Sequence, residues 1–275
     1  MKTRPKINNK TVLITGATGL LGPKHAEALC EINFDIVLLD LNNKKLLDLK
    51  DHLFSKYPKS RIFTFKCDIT KEKEVEKVAK KLDQLNQKVD VLINNAAINP
   101  KMNNLKANKK SGMVENYKIN ELRKELEVSL IGSFICSKIF GSSMAKNKYG
   151  IILNIGSDLS INAPDHSIYS RSDKIENVKN FKPIGYSLSK FALIGLTKYL
   201  ATYWGHLGVR CNTLALGAIE NKQSNYLKKN LIKRIPLKRL ATIDDYKKTL
   251  HYMCTDASSY MTGETIIIDG GRSTW

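Results

Sequence analysis

Short apolar runs alternate with longer segments of helical periodicity along this chain. The apolar runs predict strands near residues 10–15, 34–40, 61–66, 89–94, 150–156, 209–215 and 265–269. The intervening segments predict helices near residues 23–32, 43–56, 71–85, 118–147, 185–206 and 242–255. Because strands that alternate with helices form a parallel sheet covered on both faces, the pattern predicts an α/β fold with a doubly wound parallel sheet of about seven strands. A ligand of such a sheet binds at the carboxyl ends of the strands.

The first predicted strand runs directly into a glycine-rich turn, T-G-x-x-G-x-x-G, which contains Gly16, Gly19 and Gly22. Glycines permit a tight turn and close backbone approach, while free amide groups and the positive end of the next helix attract a pyrophosphate. The second strand ends in Asp40, 18 residues after the last glycine, where a carboxylate would bind ribose hydroxyls and repel a 2′-phosphate. Because Leu41 beside it carries no cation, the sequence predicts a Rossmann fold that binds NAD, with NADP less favoured.

The composition indicates one domain. The chain has 275 residues, of which 42% are hydrophobic, and no Pro/Gly/Ser-rich linker, low-complexity tract or repeat divides it. We therefore expect a single NAD-binding domain over residues 1–275. The apolar run nearest the N-terminus is too short for a signal peptide or a membrane span, so we expect a cytoplasmic protein with no membrane partner. Five scattered cysteines favour reduced thiols and indicate no metal site.

The formal net charge of +19 raises the question of a nucleic-acid partner. Of the 45 cationic residues, 37 are Lys, and many interleave with Glu, as in residues 71–81. That pattern is typical of solvated helix faces, so we expect no nucleic-acid partner. An anionic small-molecule substrate fits the charge better.

Residues that could bind a ligand or take part in catalysis follow the predicted fourth and fifth strands. The fourth strand runs into Asn94-Asn-Ala-Ala97, where small and amide side chains let the backbone approach a flat ligand. The fifth strand delivers Ser157 to its carboxyl end. Tyr186 and Lys190 follow at positions i and i+4, on one face of a predicted helix. A Tyr-x-x-x-Lys pair is common by chance, and its value here comes from its place after Ser157 in a dinucleotide-binding sheet.

Together these motifs resemble the short-chain dehydrogenase/reductase family, specifically its short single-domain branch, over essentially the whole chain. The motifs are the glycine turn at 15–22, Asp40, Asp68, residues 94–97, Ser157, Y-x-x-x-K at 186–190 and the closing Asp269-Gly-Gly. The resemblance implies that the cofactor is bound by Gly16, Thr18, Gly19, Leu20, Leu21, Gly22, Asp40, Leu41, Asp68, Ile69, Asn95, Ala96, Ala97, Tyr186, Lys190 and Gly217.

The resemblance also implies a mechanism. A free phenol has a pKa near 10, so Tyr186 is an adequate base at neutral pH only if Lys190 stabilises its phenolate. In the family this lysine also holds the nicotinamide ribose. Ser157 would hydrogen-bond the reacting oxygen, and the cofactor would carry the hydride.

Three positions depart from the family pattern. Leu20 stands where the short branch usually has glycine, and Gly19 instead gives the spacing of the extended branch. Ser129 stands where the family usually has a catalytic asparagine. We expect this serine to support a water relay less well than an asparagine would. Leu216-Gly217 replaces the usual Pro-Gly pair after the sixth strand.

Two insertions, near residues 99–117 and 163–184, flank the expected active-site mouth. Their cations predict a phosphate or nucleotide on the substrate: Lys101, Lys106, Lys109, Lys110, Arg171, Lys174 and Lys182. The segments 163–166, 200–204 and 271–275 resemble oxidoreductases of bacterial surface-sugar and flagellin-modification pathways.

The sequence therefore predicts an NAD-dependent oxidoreductase that interconverts an alcohol and a ketone on a phosphorylated or nucleotide-linked sugar. A ketoacyl or polyol reductase is the alternative if the mouth is apolar. A catalytically weak, NAD-sensing regulatory protein is the alternative of another class, suggested by Ser129 and Leu216. The family's long helices, here 118–147 and 185–206, predict a homotetramer or homodimer.

Overall fold

The computed structural model describes residues 10–100, 112–169 and 181–275. Within these residues seven strands form one sheet: β1 (Thr11–Thr15), β2 (Asp35–Asp40), β3 (Ile62–Lys66), β4 (Val91–Asn94), β5 (Gly150–Ser157), β6 (Val209–Leu216) and β7 (Thr265–Ile268). Every neighbouring pair is parallel, and the strand order is β3-β2-β1-β4-β5-β6-β7. This is the predicted doubly wound sheet.

The helices cover both faces of the sheet. They are α1 (Gly22–Cys30), α2 (Asn43–Lys56), α3 (Glu72–Gln84), α4 (Ile119–Lys146), α5 (Ile184–Trp204), α6 (Asn225–Lys233) and α7 (Asp244–Met253). Helix α2 begins where the Asn42 side chain accepts a hydrogen bond from the Lys45 amide, a standard N-cap. Its inner face buries Leu46, Leu49 and Leu53 at helical spacing.

Two apolar cores lie on opposite faces of the sheet, because successive strand residues point to opposite sides. In β1, Val12 and Ile14 pack into the core beneath α1, α2 and α7, whereas Leu13 packs into the core beneath α3, α4 and α5. Burial on both faces explains why the central strands are continuous apolar runs rather than alternating ones.

The strand order reverses between β1 and β4, and this switch point determines where a ligand can bind. Strand β1 pairs with β2 on one side and with β4 on the other, so their outgoing loops diverge at the carboxyl edge. Residues 16–22 and 95–97 follow β1 and β4 at this edge. The fold thus brings together motifs that are about 75 residues apart in sequence.

The predicted strands and helices are confirmed, with ends that differ by a few residues. The sequence pattern missed one helix, and the structure adds a detail of another. Helix α6 was not predicted; it begins where the Ser224 hydroxyl accepts a hydrogen bond from the Leu227 amide. Helix α4 contains two π-helical segments, at 127–131 and 137–141. Although α4 is long and apolar enough to cross a membrane, 56% of its most apolar window is buried inside the protein, as expected for a core helix.

Candidate active site

A cleft of about 520 Å³ opens at the switch point, along the carboxyl ends of β1, β2, β4 and β5. It is lined by thirteen of the residues that the sequence assigned to cofactor or chemistry: Gly16, Gly19, Leu20, Leu21, Asp40, Leu41, Asp68, Ile69, Asn95, Ala96, Ala97, Tyr186 and Lys190. The structure therefore brings the glycine turn, the acidic strand end and the Tyr-Lys pair to one concave surface.

The glycine turn is packed so closely that side chains would not fit. Gly16 has a φ of +60°, and a Cβ there would lie 2.7 Å from Ala96 Cα. A Cβ on Gly22 would lie 2.4 Å from the Ala17 carbonyl oxygen. Because the backbone of this turn is bare at the N-terminus of α1, it can approach a pyrophosphate closely.

Asp40 ends β2 and faces the glycine turn. One of its carboxylate oxygens accepts a hydrogen bond from the Thr18 amide at 2.9 Å, and the other accepts one from the Asn42 amide at 3.1 Å. These bonds fix the carboxylate at the edge of the cleft. Leu20 and Leu41 lie nearby with about 60% of each residue exposed, so apolar surface flanks the acid.

Asn95 holds the loop after β4 against the loop after β1. Its side-chain amide donates to the carbonyl oxygens of Thr15 and Gly16, at 2.9 and 3.0 Å. The Thr15 hydroxyl in turn accepts from the amides of Asn95 and Ala96. This reciprocal bonding explains why an amide follows β4, and it keeps the central part of the cleft rigid.

Tyr186 lies in the first turn of α5, beside Ser157 at the end of β5. The pKa of the Tyr186 phenol is raised to about 12, mainly by burial. The hydrogen bond with Ser157 opposes this rise, and the negative charge of Asp158 adds to it. The phenol is therefore protonated at neutral pH in this state. The Ser157 hydroxyl donates to Asp158 Oδ1 at 2.8 Å, so its single hydrogen is held by its neighbour.

Lys190 is one helical turn beyond Tyr186 and is almost completely buried. Its Nζ donates to the carbonyl oxygen of Ile155 at 2.6 Å and lies 5.7 Å from the centre of the Tyr186 ring. Burial lowers the pKa of Lys190 to about 8, so the ammonium form still predominates at neutral pH. A buried cation one helical turn from the phenol is the arrangement that favours phenolate formation.

Lys182 brings a second ammonium to the same tyrosine. Its Nζ lies 4.3 Å from the centre of the Tyr186 ring and donates to the side-chain oxygen of Asn99 at 2.6 Å. Burial lowers the pKa of Lys182 to about 8, opposed by the charges of Asp158 and Glu125. Among the cations predicted for the mouth, Lys182 is described, whereas Lys101, Lys106, Lys109, Lys110, Arg171 and Lys174 lie outside the described residues.

Five predicted residues do not line the main cleft. Thr18 and Gly22 shape the glycine turn, and Ser157 lies within hydrogen-bond reach of Tyr186, which does line the cleft. Ser129 is fully buried in α4, and its hydroxyl has no hydrogen-bond partner among the residues that the structure describes. Gly217 lines a separate pocket of about 150 Å³ and packs against Asp269, where a Cβ would lie 2.6 Å from Asp269 Cα.

The structure also adds residues that sequence reasoning did not select. Lys124 and Val128 of α4 line the cleft, and Asn99 bonds Lys182 across it. Arg272, near the C-terminus, forms an ion pair with Asp158. The helical periodicity of α4 could have indicated Lys124 and Val128, since they are four residues apart on one face. No sequence signal indicates the pair of Arg272 and Asp158, which are 114 residues apart.

Comparisons with known proteins agree with this geometry. Residues 16–273 match the family described as enoyl-(acyl carrier protein) reductase. The chain is similar to an NAD-dependent glycerol dehydrogenase of Listeria innocua, with 28% identity over 96% of this chain and 94% of the relative. It is also similar to the post-translational flagellin modification protein A of Campylobacter coli, with 25% identity over 96% of this chain and 98% of the relative.

A solved structure shows the same likeness. The short-chain dehydrogenase from Leptospira borgpetersenii with bound NAD+ superposes with a TM-score of 0.79 and 27% identity, covering 97% of this chain and 94% of that one. The chain belongs to the short-chain dehydrogenase/reductase family, and it is a nicotinamide-dependent oxidoreductase of alcohol and ketone groups. The predicted family, fold class and enzyme class are confirmed, and an enzyme is favoured over the regulatory alternative.

Proposed function

We propose that this protein interconverts an alcohol and a ketone with NAD as the hydride carrier, on a phosphorylated or nucleotide-linked sugar. The observation that carries the proposed chemistry is the set of Tyr186, Lys190 and Ser157 at one end of the dinucleotide-sized cleft. The insertions and their cations support the substrate class.

The cleft fits NAD by its shape and its donor groups. The bare backbone at Gly16, Gly19 and Gly22 would hold the pyrophosphate, because a side chain at Gly16 or Gly22 would collide with neighbouring backbone. Asp40 would accept hydrogen bonds from the adenosine ribose, and its charge would repel a 2′-phosphate. Asp68 and Ile69, together with residues 95–97, line the same cleft and would cover the adenine and the ribose next to it.

Tyr186 is proposed to move the proton. In ketone reduction the protonated phenol donates to the carbonyl oxygen, and in alcohol oxidation the phenolate accepts the hydroxyl proton. The positive charge of Lys190 stabilises the phenolate form of Tyr186. Because Lys190 also lines the cleft, it could bind the nicotinamide ribose as well. The Ser157 hydroxyl orients the reacting oxygen. The nicotinamide supplies or accepts the hydride when bound.

Lys182 is proposed to bind an anionic group of the substrate. Its bonded partner Asn99 is neutral, so the ammonium is not neutralised by a directly bonded carboxylate within the described residues. A desolvated cation beside Tyr186 would favour a substrate that carries negative charge close to the reacting carbon. The cations predicted at 101–110 and 171–174 would extend this field to a phosphate farther out.

The test is a screen of sugar phosphates, nucleotide sugars and their uncharged counterparts for NADH formation or consumption. We expect turnover with an anionic compound, and we expect kcat/KM for it to fall as ionic strength rises from 20 to 300 mM, with little change for an uncharged sugar. Equal or better turnover of the uncharged sugars, with no salt dependence, would contradict the substrate class while leaving the reaction class intact.

A polyol substrate is the second candidate, because the Listeria innocua relative is a glycerol dehydrogenase. The screen therefore includes glycerol and sorbitol. The family match to enoyl-(acyl carrier protein) reductases keeps acyl carriers in the same screen as ketone substrates. Activity confined to either class would replace the sugar proposal.

The assembly is proposed to be a homotetramer or homodimer. Helices α4 and α5 leave aromatic side chains exposed on their outer faces, with Phe134 and Phe191 each 44% exposed and Tyr199 64% exposed. Such apolar surface is typical of an interface between subunits. The five cysteines are buried and free, which fits the reducing cytoplasm proposed as the compartment.

A further inference from the structure

An ion pair lies directly behind the proposed catalytic serine. The guanidinium of Arg272 bonds Asp158 Oδ2, and the two side chains are only 10% and 7% exposed. Asp158 follows Ser157 in sequence, and its other oxygen, Oδ1, accepts from the Ser157 hydroxyl at 2.8 Å and from the Leu159 amide at 2.9 Å. One carboxylate thus joins the C-terminal arginine to the serine hydroxyl.

The end of the chain is shaped to deliver this arginine. Asp269 accepts hydrogen bonds from the amides of Gly271 and Ser273, at 2.8 and 2.7 Å, and so forms a tight turn around Arg272. Gly270 and Gly271 have φ of +68° and +88°, and Cβ atoms there would lie within 2.8 Å of Ile235 and Pro236. The closing Asp-Gly-Gly motif therefore has a local purpose, since it turns Arg272 back toward β5.

The charges around Tyr186 show what the pair contributes. Lys190 faces the ring from α5, and Lys182 faces it from the segment that precedes α5. Asp158 and Tyr169 interact with it from the segment after β5. Glu125 of α4 packs against Gly185, the residue before Tyr186. Of these, Asp158 disfavours the Tyr186 phenolate, because like charges repel. Arg272 neutralises this carboxylate at contact distance.

We propose that Arg272 is a positioning residue for the reaction: by neutralising Asp158 it keeps an uncompensated negative charge from the Tyr186 phenol and weakens the hold of Asp158 on the Ser157 hydrogen. The inference rests on the function proposed above for Tyr186 and Ser157. With Arg272 in place, Asp158 is a weaker competitor for the Ser157 hydrogen, which can then turn to the reacting oxygen.

The two partners have opposite charges, so their removal must have opposite effects on the tyrosine. Replacing Arg272 by Met leaves Asp158 uncompensated, and we expect the apparent pKa of Tyr186 to rise by about one unit. Replacing Asp158 by Asn leaves Arg272 uncompensated, and the pKa should fall by about one unit. In the double variant Arg272→Met/Asp158→Asn both charges are absent, and the value should return close to that of the parent.

The measurement is a pH titration from 6 to 11 of the NAD-bound protein labelled with ¹³Cζ-tyrosine, with the Tyr186 signal assigned by its loss in Tyr186→Phe. NAD is bound because its cationic nicotinamide would lower the pKa of the adjacent phenol from about 12 into this range. This readout needs no substrate, so it can fail independently of the proposed function. Absence of turnover by the unmodified protein in the substrate screen would contradict the proposed function, whereas the titration tests the role of the ion pair. Shifts of the same sign in both single variants, or no shift in either, would overturn the inference.

Two further variants separate electrostatics from loss of structure. Arg272→Lys keeps the charge, so its Tyr186 titration should match the parent even if Arg272→Met fails to fold. Arg61→Met removes the arginine partner of Asp35, another buried carboxylate, which begins β2 at the amino edge of the sheet. We expect no change of the Tyr186 titration in Arg61→Met, and a shift there equal to that of Arg272→Met would also overturn the inference.

Discussion

The proposed cofactor end and the proposed catalytic end of the cleft contain different kinds of chemical groups. The cofactor end, around residues 16–22 and 95–97, consists of bare backbone, small side chains and amide hydrogen bonds, with Asp40 as its charged group. The catalytic end, around Ser157 and Tyr186, contains Lys190, Lys182 and the pair of Asp158 and Arg272 within a partly buried space.

Because of this difference, we expect the two ends to respond to different kinds of substitution. Backbone amides do not titrate, so the cofactor end depends on close packing and tolerates changes of pH. Buried charges make the catalytic end depend on ionisation and on the balance of its neighbours. Substitutions of shape should therefore damage the first end, and substitutions of charge should damage the second.

The largest expected effect comes from removing the proposed proton-transfer group at the catalytic end. Tyr186→Phe deletes one hydroxyl with little change of shape, so turnover should fall by roughly 10² or more while NAD affinity persists. Steady-state kinetics and NAD titration by calorimetry measure the two quantities. Near-normal turnover in this variant would exclude Tyr186 as the proton-transfer residue.

At the cofactor end a single methyl group should have a smaller effect, and it should act through shape. In Gly22→Ala the new Cβ would lie 2.4 Å from the Ala17 carbonyl oxygen, so the turn must shift. Overpacking of this kind costs about 1–3 kcal/mol, and we expect NAD affinity to fall by about tenfold or more. Gly195→Ala is the matched control, because a Cβ there meets nothing within 4 Å. Unchanged NAD affinity in Gly22→Ala would show that close packing is not what this end requires.

A pH experiment tests whether ionisation matters at the catalytic end. Burial lowers the pKa of Lys190 to about 8 from an ordinary value of 10.5, so the unfolded chain binds more protons between these values. Stability should therefore rise with pH in this window, by about 2 kcal/mol between pH 8 and 10 relative to Lys190→Met. Urea unfolding of the two proteins, without cofactor, gives the difference. A difference that is constant with pH would contradict the buried ammonium.

The smallest expected effect concerns cofactor choice at Asp40. We expect NAD to bind at least tenfold more tightly than NADP, a gap of about 1.4 kcal/mol. In Asp40→Ala the gap should narrow, because repulsion of a 2′-phosphate and the hydrogen bonds to the ribose disappear together. Calorimetric titration of both proteins with both cofactors tests this. Equal affinities in the parent would exclude the assignment to NAD.

The proximity of the glycine turn and Asp40 could be predicted because its sequence signal is local. Gly16, Gly19 and Gly22 lie within one segment of seven residues, and Asp40 ends the next strand, so spacing indicates their proximity. The catalytic trio was predicted less directly, from the order of Ser157 before Tyr186 and Lys190 in a family pattern. Helix α6 was missed although Leu227, Leu231 and Ile232 recur at helical spacing, because a segment of nine residues offers little more than two turns in which to recognise the pattern.

The class of fold, the position of the glycine turn and the Tyr-Lys pair could be read from the sequence, since each depends on periodicity or on spacing within one short segment. Which charged and polar groups from distant parts of the chain come into contact depends on the three-dimensional fold. Arg272 and Asp158 are 114 residues apart, and Lys182 meets Asn99 across 83 residues. Such contacts depend on strand order and on the path of the connecting turns. The sequence around Arg272 does not indicate its partner, because the two residues meet only when the segments after β5 and β7 lie at the same edge of the folded sheet.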